Sequence, residues 1–429
     1  MPELIDHRVE DRFLAVYKRY QSLNGTADPL SDLSEKAIEC FAQTGFPERK
    51  NESWKYTNVT PIISRAYQIA EADQAPAKGL DVLDTPHVAV FVNGRLAPEQ
   101  SRLDQVPAGV SIESLSTAAE KDIVQAYLGS HADYAEDPFV ALNTAFIKDG
   151  AVITALPGIK LDHPIHILHV VTCNEPTLVQ PRTFIHAADG ASIQVLQSTE
   201  FAGSASLLMN AVTEIHVGKE AHVDYLDLQV GTPAVSRITN LSVYQETQSR
   251  FYSGTFTFGG ELTRNNLSIL PNAEHCESLL QGLFMARGRS HVDNNTLVDH
   301  AKPNCYSSEY YKGILDDHAI GVFNGKVLVR EDAQLTNAYQ TNRSILLSDT
   351  ARMYSKPALE IYADDVKCSH GATTGQLDKD GLFYLRSRGI CEEEARRLML
   401  MSFAGDIIEK APVSAMHETL YNHVERMLR

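Results

Sequence analysis

No two of the six cysteines in this 429-residue chain are spaced as Cys-x-x-Cys. Cys40, Cys173, Cys276, Cys305, Cys368 and Cys391 are scattered, which excludes a zinc ribbon, a dithiol redox motif and a disulfide framework. Basic charge is short: 38 Lys and Arg against 55 Asp and Glu leave −17, which argues against a nucleic-acid partner. No stretch approaches the roughly 18 consecutive apolar residues of a membrane span. The N-terminus lacks the apolar run of a signal peptide, so the expected compartment is the cytoplasm, where thiols stay reduced. A phosphate-binding loop is also missing. The nearest stretch, Gly321 to Val327, has three residues between its glycines and ends in Val, without the hydroxyl that would hold Mg²⁺. There is no Gly-x-Ser-x-Gly elbow and no His-Glu-x-x-His pair. A nucleotide, if one drives the chemistry, must bind elsewhere.

What is present supports a large core: 43% hydrophobic and 22% charged residues. The length fits two or three domains, or a repeat body with flanking pieces. Residues 1 to about 60 read as helical. Phe13, Val16, Tyr17 and Tyr20 share one helix face, and a second helix is expected from Ser31 to Thr44, stopped by Gly45-Phe46-Pro47. The only Trp, Trp54, is expected to pack domains together or to anchor a partner. Residues 61 to 86 read as a weakly ordered linker. A strand is expected at His87 to Val92, turning at Asn93-Gly94, with helical stretches at Ser116 to Tyr127 and Pro138 to Phe146.

From Asp149 to about Val366 the pattern is short alternating β runs. A polar or Gly residue followed by Ala recurs at Ala191, Ala221, Ala273, Ala333 and Ala351, at intervals of 30, 52, 60 and 18. Small residues at repeated corners suit a β-solenoid, whose coils stack about 4.8 Å apart. A β-sandwich would need frequent hairpins, and Asn324-Gly325 is the one plain signal. The histidines of this body show no close ligand spacing and read as exposed or satisfied strand positions. The tail is helical: Leu400, Phe403, Ala404, Ile407, Ile408 and Ala411 share a face, and Glu392 and Glu393 stand four residues before Arg396 and Arg397. Beyond Pro412, Val413, Met416, Leu420, Val424 and Met427 form a second amphipathic helix. The two helices either cap the solenoid or dock a partner.

Chemistry concentrates at Asp364 to Ile390. Leu359 to Val366 read as the end of a strand, breaking at Gly371 and Gly375. Cys368 and His370 stand two apart, on one face of an extended backbone. A thiolate and an imidazole together are candidate ligands for a borderline or soft metal such as iron, but two ligands leave the shell open. The plainer alternative is a buried Cys beside a hydrogen-bonded His.

These residues carry a resemblance. Ala363-Asp-Asp-Val-Lys-Cys368-Ser-His370-Gly-Ala-Thr373, Phe383-Tyr-Leu-Arg-Ser-Arg-Gly389, Arg49-Lys-Asn-Glu-Ser-Trp54-Lys-Tyr-Thr57, Val92-Asn-Gly-Arg95, Ala141-Leu-Asn-Thr-Ala-Phe146 and the Glu392 to Leu398 run are similar to the SufD proteins of the SUF iron–sulfur cluster assembly system. SufB, the paralogue, reads His-Glu where this chain reads His370-Gly371, and carries a sulfur-accepting cysteine where this chain has Asn342. The resemblance implies a helical domain over 1–148, a right-handed parallel β-helix over 149–370 and a helical domain over 371–429. It implies a scaffold rather than an enzyme, pairing with SufB and docking the SufC ATPase. His370, with Cys368, would lie at the SufB interface where a nascent iron–sulfur cluster forms, with no cofactor held stably by this chain alone. Glu393, Arg397, Leu398, Phe403 and Ile407 would belong to the SufC-docking helix. Closure of two SufC subunits on ATP would pull on the helical tails. No flavin motif is visible. A structural homodimer and a β-helix carbohydrate-active enzyme, the latter needing a carboxylate pair in a cleft, are the other readings.

Overall fold

The computed structural model describes residues 9–24, 29–70 and 83–429. Its centre is a parallel β-solenoid with two long faces, a twelve-stranded and a ten-stranded sheet, in which neighbouring strands alternate along the chain. Ser192 pairs with His222, His222 with Arg250, Arg250 with Glu277, Glu277 with Tyr306, Tyr306 with Asn337 and Asn337 with Lys367. The steps are 30, 28, 27, 29, 31 and 30 residues, so one coil takes about 30. Asn324-Gly325 turns no hairpin; it lies inside the parallel strand Ile320–Val329.

The corners explain why the alanine intervals looked irregular. Gly190, Glu220, Gln248, His275 and Asn304 occupy the left-handed backbone region, at φ 68°, 57°, 57°, 61° and 62°. The next residue is buried and small each time: Ala191, Ala221, Ser249, Cys276 and Cys305. The corner requires low volume and not Ala itself, so the column continues through Ser and Cys. Ala273, Ala333 and Ala351 occupy other points of the turns.

The lumen is filled by aliphatic and aromatic layers including Ile167, Val195, Val223, Phe251, Leu280 and Phe323. Helices Val9–Asn24 and Ser31–Thr44 form as expected, and Gly45 ends the second at φ 65°. They pack with Pro138–Ala145 through Phe13, Phe41, Phe46 and Phe139. Trp54 is a packing residue. It stacks on Phe139 at 5.4 Å, and the Arg264 guanidinium lies 3.8 Å from its ring centroid. The expected helix at Ser116 to Tyr127 is two short ones, Leu115–Ala118 and Asp122–Tyr127.

The described parts of the supposed linker, 61–70 and 83–86, are built into the fold. Thr60–Ile63 is helical, Gln68–Ile69 pairs with Thr177 and Leu178, and Leu83 N–H donates to His166 Nδ1 at 3.2 Å. Residues 71–82 of it lie outside the described residues. Strand His87–Val92 joins the ten-stranded sheet, and Asn93-Gly94 turns it as expected. No helix among the described residues is long and apolar enough to cross a membrane.

Two buried ion pairs fasten the helical layer to the solenoid. Arg264 pairs with Asp293, which also accepts from Thr57 Oγ1 at 2.5 Å. Arg182 pairs with Glu214, both side chains fully buried. Glu214 also accepts the N–H groups of Gly129, His131 and Ala132 at 2.9–3.1 Å, and Arg182 donates to Asn143 Oδ1 and Thr144 Oγ1. Breaking such a pair leaves an uncompensated buried charge. Glu214→Ala is therefore expected to lower stability by about 3–5 kcal/mol, read as a lower urea midpoint; an unmoved midpoint would remove the pair from the fold's supports.

Candidate functional site

The solenoid has an open end. Its last strand, Lys367–Gly375, pairs with Asn337–Leu346 and terminates the ten-stranded sheet. Strand order makes its other edge a row of unpaired backbone groups, which natural proteins cover or blunt. The strand runs through Gly371 without breaking. A Cβ built there would meet nothing within 4 Å, so neither crowding nor backbone sign demands glycine. Pairing of Gly371 with Thr341 keeps it extended.

Cys368 and His370 do share a face. Cys368 stands in register with Ala338, a lumen residue, and packs partly buried against the interior cluster. Burial pushes its thiol above the ordinary value, so the less nucleophilic thiol form is favoured. His370 is exposed on the same face, in register with Gln340. Among the described residues no group of three or more His, Cys, Asp or Glu is arranged to hold a metal ion. Around this end Tyr339, Leu335, Ile361 and Tyr362 are exposed. Apolar exposure at an open sheet edge makes this end a candidate interaction surface. Asn342 is buried, pairs with Ala372 and donates its Nδ2 to the Tyr311 carbonyl at 3.3 Å.

Below His370 the lumen column is polar. Glu309 pairs with Gln340, and Gln340 with His370. Glu309 accepts from Thr296 Oγ1 at 2.5 Å and from Gln340 Nε2 at 2.9 Å. Burial pushes its carboxyl up to about 7 in spite of both donors.

The C-terminal helices cover the outer face of the ten-stranded sheet. Leu400, Ala404, Ile407 and Ile408 pack with Leu226, Phe256, Phe258, Leu283 and Met285. Lys312 locks this contact, donating to the Phe403 carbonyl at 2.8 Å and pairing with Asp406 at 2.8 Å. Hydrogen bonds from Lys312 and Tyr310 hold the Asp406 carboxyl well below the usual range. Of the five candidate docking residues, Ile407 is fully buried here and Phe403 lies against Lys312 at 4.3 Å. Glu393 and Leu398 are exposed. Arg397 pairs with Glu394 and Glu425, both at 2.7 Å, instead of the Glu393 that helical spacing suggested, because the last helix brings Glu425 alongside. A helix that the spacing did not reveal, Lys379–Ser387, exposes Phe383 and Tyr384. Between it and the next helix opens a cavity of about 590 Å³ lined by Ile345, Leu377, Leu385, Leu398, Met399 and Phe403.

The histidines of this body are mostly exposed or satisfied, as expected. His166, His216 and His300 are buried with hydrogen-bond partners, His169 is buried too, and burial lowers each, to about 3 for His166 and about 4 for the others. His186, His216 and Tyr244 stack on successive coils with centroids 5.0 and 5.3 Å apart, and His131 closes the stack at 5.4 Å from His216. A signal was available: Thr183-Phe-Ile-His186 and Thr213-Glu-Ile-His216 repeat one coil apart.

Comparison with known proteins bears on this geometry. Residues 7–167 match the SufBD protein N-terminal region, and residues 169–403 match the SUF system FeS cluster assembly, SufBD core domain. An iron–sulfur cluster assembly SufBD family protein of Synechocystis is 32% identical over 96% of this chain and 95% of its own length. The iron–sulfur cluster assembly protein SufD of Escherichia coli is 29% identical, covering 88% of each chain. SufD of Bacillus subtilis is 23% identical over 93% of this chain and 94% of its own length.

The buried carboxyl has a pH consequence. Glu309's folded value, about 7, lies above its ordinary 4.5, so the native chain keeps a proton that the unfolded chain has released. Its stabilising contribution is full below about pH 4.5 and is lost as pH rises towards 7. Glu309→Gln cannot ionise. The variant is expected to gain on the wild type from pH 5 to pH 8, by on the order of 1–3 kcal/mol in urea unfolding. A stability difference constant over that range would contradict the assignment.

Proposed function

The chain belongs to the SufBD family of the SUF iron–sulfur cluster assembly system, and from that premise we propose that it is the SufD-type, non-catalytic subunit of an assembly complex. It pairs with a SufB-type subunit through its open solenoid end and docks a SufC-type ATPase through its C-terminal helices. The nascent cluster is cargo at the paired end, with His370 and Cys368 as this chain's contribution and the partner supplying the rest of the shell.

The observation that carries this reading is the end strand Lys367–Gly375. It combines an unpaired edge, exposed apolar neighbours and two ligand-capable side chains on one face. A partner strand laid on that edge satisfies its backbone groups and covers the lumen mouth. The SufD-type assignment is supported by His370-Gly371 where SufB-type sequences carry His-Glu, and by the amide of Asn342 where they carry the sulfur-accepting thiol. The ATPase surface is supported by Phe383, Tyr384 and Leu398, large apolar side chains exposed beside an open groove.

Two measurements test the proposal. In the coexpressed three-protein complex, His370→Ala is expected to leave assembly intact by gel filtration while bound iron and sulfide fall to background. Full cluster content in that variant would make this chain a scaffold without a share in the site. Leu398→Asp places a charge in the groove, and about 10-fold weaker binding of the ATPase subunit is expected by calorimetry. Undiminished binding would move the docking surface elsewhere.

A further inference from the structure

The lumen column beneath His370 is a built arrangement. Parallel in-register pairing stacks Glu309, Gln340 and His370 on three successive strands, one strand spacing apart. Each carboxyl oxygen accepts one hydrogen bond, Oε2 from Thr296 and Oε1 from the Gln340 amide. The Gln340 NH₂ faces this carboxyl, and above about pH 7, where the carboxyl is ionised and only accepts, no other orientation of the amide satisfies it. That leaves Gln340 Oε1, which is buried and without a hydrogen-bond partner among the described residues. Such an acceptor is costly unless something donates to it. Gly325 on the opposite sheet leaves room for the amide, since a Cβ there would come within 3.0 Å of Gln340 Nε2 and 2.8 Å of the Phe323 ring. The next side chain of the column, towards the open end, is His370.

The geometry points to Glu309 and Gln340 as positioning residues for His370: the carboxylate orients the amide, the amide carbonyl, unbonded in this structure, accepts one ring N–H when the exposed imidazole turns inward, and the other ring nitrogen is left as a lone pair facing the partner. The inference rests on the reading above that His370 serves the cluster site. A ring donating one N–H inward is the arrangement by which a metal-binding histidine is held in one tautomer. Neither Glu309 nor Gln340 touches the cargo. Their effect passes through the imidazole.

The test uses the full chain, ¹⁵N-labelled at histidine, with the His370 signals assigned by their loss in His370→Gln. In the wild type at pH 8 one ring nitrogen is expected to carry the proton. Gln340→Leu removes the acceptor, and the ring is expected to relax to the mixture of tautomers of a solvated imidazole. Gly325→Ala displaces the amide without deleting it. It is expected to do the same, and it answers the question should Gln340→Leu fail to fold. Identical His370 ring signals in the wild type and the folded variant would overturn the inference. Cluster loading of the complex separates the two proposals. Loss of cluster in His370→Ala with an unchanged tautomer in Gln340→Leu sinks the positioning role alone. A shifted tautomer with full loading in His370→Ala sinks the site assignment alone.

Discussion

Register is the constraint on which the rest of this molecule depends. From Ser192 onward the strands of the ten-stranded sheet pair in parallel with the strand one coil away, so a side chain stands directly above the residue about 30 positions earlier. Stacking at one strand spacing turns single residue choices into columns. At one corner, a left-handed residue followed by a buried small one gives the column Ala191, Ala221, Ser249, Cys276, Cys305. On the outer face, His186, His216 and Tyr244 become a ring stack. In the lumen, Glu309, Gln340 and His370 become a polar file that ends at the open mouth.

The two helical layers are attached by different means. The N-terminal layer relies on an aromatic knot and two buried ion pairs, in which the desolvation of Arg182, Glu214, Arg264 and Asp293 is offset by dense hydrogen bonding. The C-terminal helices present an aliphatic face to the sheet and a half-exposed ionic clasp, Lys312 with Asp406. Lys312 is buried and Asp406 part-exposed, so the clasp fixes the position of the helix while apolar burial supplies most of this second attachment. Neither layer covers the strand Lys367–Gly375, so the end of the stack stays exposed.

Helix positions were legible because their signals are local. Ser31–Thr44 with its Gly45 stop follows from periodicity and the conformational freedom of glycine. The solenoid was legible in outline from Ala191 and Ala221, one coil apart, although Ser and Cys then hid the column. The misreadings share a cause. Asn324-Gly325 looks like a hairpin and Gly371 like a break, yet inter-coil pairing holds both extended. The 61–70 stretch looks like a linker because its partners, Thr177 and Leu178, lie more than a hundred residues away. Arg397 finds Glu425 across a helix pair that no helical spacing announces.

The sequence by itself determined the class of fold, the helices at both ends, and the pairing of Cys368 with His370 on one face, since two-residue alternation is a property of any extended backbone. The Asp364–Ile390 stretch and the family motifs also pointed to the cluster assembly system before any contact was known. Only the tertiary structure decided what lies beneath and around that pair. Which residue stands below His370 depends on coil length, and coil length varies between 27 and 31 residues with each turn. That variation is set by how the corners close, a property of packing that no single segment of the chain contains.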